Sequence, residues 1–209
     1  MTRLSSLVLC ATMFAGLLAC SSSGTSAQSA IDLAPIDHTV SGWTVDRDMN
    51  KNENALPMVA GTAREAEALI DGGAAPFYKA PFAPVQFLWQ NYINDTLTSA
   101  PDGGYVVLYI LQMPSADQAS GLYTALLQES EYYSKQGTPD DWKPTSPPLG
   151  AESRIEDTGT AWWINFHQDV FYVEVMLSPS YGPPPDYTIG DPDLKQEAFR
   201  FAQTIASKI

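Results

Sequence analysis

Cysteine is nearly missing from this chain. Cys10 and Cys20 are the only two, so nothing beyond residue 20 can be held by an internal disulfide. Basic charge is scarce too: 11 Lys and Arg stand against 24 Asp and Glu, a formal net charge of −13, with no Lys/Arg run anywhere. Nucleic-acid phosphates and anionic headgroups would repel such a chain, which excludes nucleic acid as a partner. His38 and His167 are the only histidines, and neither has companions at zinc-ligand spacing, so no metal centre is predicted. No G-x-S-x-G or phosphate-loop pattern occurs, leaving no nucleophile elbow and no cofactor to predict.

Long apolar stretches are also lacking. The run from Leu7 to Ala19 falls short of the roughly 20 residues needed to span a bilayer. Arg3, the only charge before Asp32, precedes it, and a short basic region followed by an apolar one describes an export signal. A small-x-small cleavage site is available within residues 26–30. Leu17-Leu18-Ala19-Cys20, however, resembles the lipobox of bacterial lipoproteins. That resemblance implies cleavage before Cys20, diacylglycerol on its sulfur and an acylated N-terminus, which is a stable anchor because several acyl chains act together. The expected organisation is a signal peptide over residues 1–19, lipidated Cys20 and a flexible Ser-rich tether over 20–35, and one domain over 36–209. Ser21 rather than Asp after the lipid site favours the outer over the inner membrane, again by resemblance.

What is abundant is core material, at 44% hydrophobic and 11% aromatic residues. Thr62 and Glu65 have capping-box spacing, predicting a helix over 62–70 stopped by Gly72-Gly73. The segments 85–93, 105–113, 152–158, 161–167 and 170–177 read as strands, the last two as a hairpin around Gln168-Asp169. Ser115 caps a helix carrying Ala119, Leu122, Tyr123 and Leu126 on one face. Asp191-Pro192 opens a terminal helix with Leu194, Ala198, Phe201, Ala202 and Ile205 aligned. Residues 137–150 are Pro-rich and read as a surface loop. Short links imply antiparallel pairing. The fold class predicted is α+β, an antiparallel sheet of about five strands packed with two to three helices. Strands followed by a helix occur twice, so a distant duplication is conceivable, although no residue-level repeat is visible.

Three stretches bear on chemistry. Asp71-Gly72-Gly73 suits a close backbone approach to a ligand, or simply a helix stop. Asp46, Asp48, Asn50 and Asn52 alternate as in a calcium loop, but Lys51 and Pro57 occupy the positions where Gly and the bidentate Glu belong. Trp162 and Trp163, with Phe166, Phe171 and Tyr172, gather on the hairpin, and the two tryptophans must face opposite ways. An uncovered Trp would suit a peptide or glycan surface.

In "LIDGGAAPFY" and "LYILQMPSADQASGLY" the chain resembles a family of uncharacterised bacterial envelope proteins. Its members carry a Leu-x-x-Ile-Asn/Asp-Gly-Gly-Ala segment, then a strand ending in Met and a helix with Ala-x-Gly-x-Tyr-like residues. The matching positions are Leu69, Ile70, Asp71, Gly72, Gly73, Ala74, Met113, Ala119, Gly121 and Tyr123. The resemblance covers residues 60–130 and implies export and an α+β domain, with no activity to carry over. The sequence therefore points to an envelope lipoprotein that binds a protein or glycan partner, with Cys20 as the lipid site and Asp71, Gly72, Gly73, Trp162 and Trp163 as candidate contacts. The rivals are an envelope hydrolase using acidic residues on glycan or peptidoglycan, and a structural component of a secretion or outer-membrane complex.

Overall fold

The computed structural model describes residues 28–47, 58–70, 73–94, 104–128, 141–158, 161–178 and 192–209. Five long strands form the body of one antiparallel sheet: β3 (Gln86–Asn94), β4 (Gly104–Gln112), β6 (Glu152–Asp157), β7 (Trp162–Gln168) and β8 (Phe171–Ser178). The sheet has eight strands rather than about five. The additional β1 (Thr44–Val45), β2 (Met58–Ala60) and β5 (Lys143–Pro144) are two or three residues long, too short to show an alternation. The order is β1-β3-β4-β8-β7-β6-β5, with β2 also on β3. Four α-helices are described rather than two to three: α1 (Ala30–Leu33), α2 (Ala63–Leu69), α3 (Ala116–Leu126) and α4 (Pro192–Ala206).

The sheet is covered on both sides. On one face Leu88, Val106, Leu108, Ile110, Ile164, Phe166, Val173 and Val175 pack under α1 and α4. The aligned residues of α4 are all buried there, and Phe201 meets Trp43 edge-to-face at 5.2 Å. Each Val, Leu, Ile or Phe side chain among these contributes about 1.5–3 kcal/mol on leaving water. On the other face Phe87, Leu111 and Tyr172 pack under α2, α3 and a 3-10 turn over Ala75–Tyr78. The Thr62 side chain accepts from the Glu65 amide, and the Ser115 side chain from that of Gln118, so both predicted caps are formed. Because α3 and α4 lie on opposite faces of β7 and β8, the halves cannot be related by a two-fold through the antiparallel β4–β8 junction. That axis would run perpendicular to the sheet and leave both helices on one face.

Two expected boundaries move. The tether expected over 20–35 is shorter, since Ala30 and Leu33 are fully buried. The Ala30 amide donates to Gln86 Oε1, Tyr92 Oη to the Pro35 carbonyl and Lys208 Nζ to the Leu33 carbonyl, so packed structure begins by Ser29. The Pro-rich stretch expected to be a surface loop buries Trp142, Thr145 and Leu149 in its described part. Ser153 fastens it, with Oγ 2.6 Å from Thr145 Oγ1 and accepting from the Leu149 amide. The hairpin turn is Asp169-Val170, one residue later than expected, closed by Gln168 opposite Phe171. Asp169 has φ 48°, a left-handed conformation that Asp adopts more readily than most residues.

Candidate functional site

The strand register gathers a polar row on the face covered by α2 and α3. Arg154 of β6 stands opposite Asn165 of β7, which stands opposite Glu174 of β8, which pairs with Tyr109 of β4. Glu156 lies in the adjoining row, opposite Trp163. Arg154, Asn165, Glu174 and Glu156 are only 4%, 0%, 1% and 2% exposed. A polar group this deep is costly unless it is answered by hydrogen bonds or charge.

Several answers are visible. Tyr172 Oη donates to Glu174 Oε2 at 3.0 Å, and Trp89 Nε1 donates to Asn91 Oδ1 at 2.9 Å. Arg154 Nη1 donates to the Tyr123 carbonyl at 2.8 Å. Its guanidinium carbon lies 4.1 Å from the Tyr123 ring centre and 5.0 Å from that of Trp142, so two aromatic rings hold it. Other groups have no hydrogen-bond partner among the described residues: Arg154 Nε and Nη2, Glu156 Oε2, His167 Nε2 and Trp142 Nε1. Burial pushes the Glu156 carboxyl up to about 7; Asp141 and Asp157 add to this and Arg154 opposes it. Burial also lowers His167, with Glu152 opposing and Arg154 adding. The Tyr109 phenol is pushed up by burial and by the nearby Glu174.

Trp162 belongs to the other face. It lines an open cleft of about 360 Å³ between β5, β6 and α4, with Phe199, Lys143, Lys195, Asp141 and Asp157. Lys195 Nζ sits 5.4 Å from the centre of the Trp162 ring. A second groove of about 470 Å³ shares Ser146, Lys195 and Phe199 and continues along α4. An aromatic wall with both signs of charge suits a small polar or zwitterionic ligand, the ring giving stacking area and the charges orientation.

The candidates named from sequence do not form one site. Cys20, Asp71 and Gly72 lie outside the described residues. Gly73 follows α2, its amide donating to the Ile70 carbonyl at 3.2 Å; its φ is not left-handed, so the left-handed helix stop is not made at this glycine. Trp162 and Trp163 point to opposite faces, as alternation required, and both are half-buried. The sheet is covered on both faces, and each Trp remains partly exposed. Of the calcium-like stretch, Asp46 is buried, with its amide on the Asn91 carbonyl, and the positions from Asp48 on lie outside the described residues. No group of three or more metal-ligating side chains occurs among the described residues. His38 is exposed with φ 61°.

Sequence reasoning missed Arg154, Glu156, Asn165 and Glu174. Charged residues at alternate positions of a strand ordinarily mark a solvent face, and nothing local announces that helices cover this one. No protein-family model matches the chain, and no curated protein matches it.

Proposed function

We propose that this chain is a lipid-anchored protein of the bacterial cell envelope that binds a partner without transforming it. The observation that carries the binding reading is the cleft in which Trp162 stands with Phe199, two lysines and two aspartates. The anchor reading rests on Leu17-Leu18-Ala19-Cys20. Packed structure starts by Ser29, so the linker is short. At about 3.5 Å per residue at most, it keeps the fold within roughly 30 Å of the bilayer. No helix among the described residues is long and apolar enough to cross a membrane. An envelope protein or glycan, met at that distance, is the expected partner, on the outer membrane in preference to the inner.

One observation favours the hydrolase reading: Asp141 and Asp157 line the same open cleft. Against it stands the placement of the carboxyl best suited to be a general acid at neutral pH. Glu156 adjoins Asp157 on β6 and therefore points to the other face. A general acid and its partner carboxylate must share one cleft.

Membrane fractionation tests the anchor. Cys20→Ser should leave the protein uncleaved or release it from membranes, and ordinary retention would overturn the lipid reading. Capture from detergent-solubilised envelopes tests the cleft: Trp162→Ala should lose the partner while the fold persists. Equal capture by both proteins would remove the cleft from the function. Turnover of purified peptidoglycan by the wild type but not by Asp157→Asn would replace binding with hydrolysis.

A further inference from the structure

The other face of the sheet carries a separate arrangement, independent of the anchor and of the Trp162 cleft. Four nitrogens that can carry N–H groups surround Tyr123 without a partner among the described residues: Arg154 Nε and Nη2, Trp142 Nε1 and His167 Nε2. Arg154 and Trp142 lie within 5.0 Å of one another, ring centre to guanidinium, and the Tyr123 and His167 ring centres are 5.1 Å apart. All three residues are buried. An unanswered buried donor is expensive, and an unanswered cationic one more so, which makes natural folds leave few of them. Donors concentrated in this way define a place for an anion.

The guanidinium states which anion. Nη1 is already committed to the Tyr123 carbonyl. The two remaining positions, Nε and Nη2, lie on the same edge of the planar group and present parallel N–H bonds, the side-on fork that a carboxylate fills with both oxygens. The rings of Tyr123 and Trp142 hold the fork in place, so little rotamer entropy is lost when it is filled. Among the described residues no carboxylate fills it, since Nε and Nη2 donate to no partner and Glu156 Oε2 is likewise unanswered. Glu174, in the same row of the sheet, nonetheless puts negative charge on this face, which a dianion would meet at a greater cost than a monoanion.

We propose that Arg154, with Trp142 and His167, forms a buried site for a small monocarboxylate, bound side-on through Nε and Nη2.

The test uses the full-length protein in detergent, labelled with ¹⁵N-arginine and titrated with sodium acetate at constant ionic strength, with sodium sulfate in a parallel series. The Arg154→Lys variant assigns the Arg154 Nε resonance. Acetate should shift that resonance saturably, while the resonances of Arg47 and Arg200 stay in place. Arg154→Lys should weaken acetate binding about tenfold or more, because an ammonium cannot reproduce the fork. Trp142→Phe keeps a ring over the guanidinium and removes one donor; should Arg154→Lys fail to fold, this variant carries the test, with acetate affinity falling about threefold or more. No Arg154 response to acetate, an equal response to sulfate, or unchanged affinity in Trp142→Phe would each overturn the proposal.

Discussion

Glu156 offers the sharpest test of the buried polar row. Its carboxyl is raised from 4.5 to about 7, first by burial and then by Asp141 and Asp157, with Arg154 pulling the other way. A raised carboxyl pKa means that the fold prefers the protonated form. The stability it contributes is therefore complete below the unfolded value of 4.5 and is lost as pH rises through about 7. The shift corresponds to about 3 kcal/mol between those limits, at 1.36 kcal/mol per unit. Glu156→Gln keeps the shape of the protonated acid and cannot ionise. Variant and wild type should thus be about equally stable near pH 4, with the variant ahead by up to about 3 kcal/mol near pH 8.5. Urea denaturation at a series of pH values measures both curves. A difference that does not change with pH would refute the reasoning. A variant less stable than wild type at high pH would refute it more pointedly, because ionised Glu156 would then be a favourable partner of Arg154.

Two further changes probe the frame that holds the sites. Gly150 has φ +58°, and a Cβ there would stand 2.5 Å from the His167 carbonyl oxygen; Gly150→Ala should cost about 2 kcal/mol or more by chemical denaturation, and undiminished stability would show that this turn relaxes freely. Phe201 is fully buried between Trp43 and Tyr92, with ring centres at 5.2 and 4.9 Å, so Phe201→Ala should cost about 3–5 kcal/mol, and a loss under about 1 kcal/mol would mean α4 is not a pillar of the core.

Much of the frame is legible in the residues because its signals are local. Ser115 before a run of apolar residues three and four apart states where α3 begins and which side it buries, and Leu194 through Ile205 do the same for α4. Strands of six or more residues announce themselves by composition. Two-residue β1 and β5 do not, since their pairing is decided by β3 and β6 rather than by anything in Thr44-Val45 or Lys143-Pro144. The stretch from Ser29 to Pro35 reads as tether because Ala30-Ile31-Asp32-Leu33-Ala34 is too short to show a periodicity and follows directly on a Ser-rich run. Distant partners bring it into the core: Gln86 holds the Ala30 amide, and Lys208 holds the Leu33 carbonyl.

The candidate sites lay beyond such reading for a related reason. Alternation states which residues share a face, and it placed Trp162 and Trp163 on opposite sides correctly. It does not state what covers each face. On β6 the sequence Arg154-Ile155-Glu156 reads as one inward residue between two solvated ones. In the fold α3 crosses to the β7–β8 hairpin on one side while α4 packs on the other, so the polar side becomes interior. Helix placement of that kind is a property of connections, not of periodicity, and it turns charges that would be idle in water into groups that must be answered. Tyr172 answers Glu174, and Trp89 answers from its indole to Asn91; the Arg154 fork is left for a ligand. Sequence alone would place Arg154 among the solvated charges, yet the same alternation that hides it also fixes it beside Asn165 and two residues from Glu156. The polar row sealed under α3 and the Trp162 cleft beside α4 thus lie on opposite faces of one sheet, so a substitution in either can be read without disturbing the other.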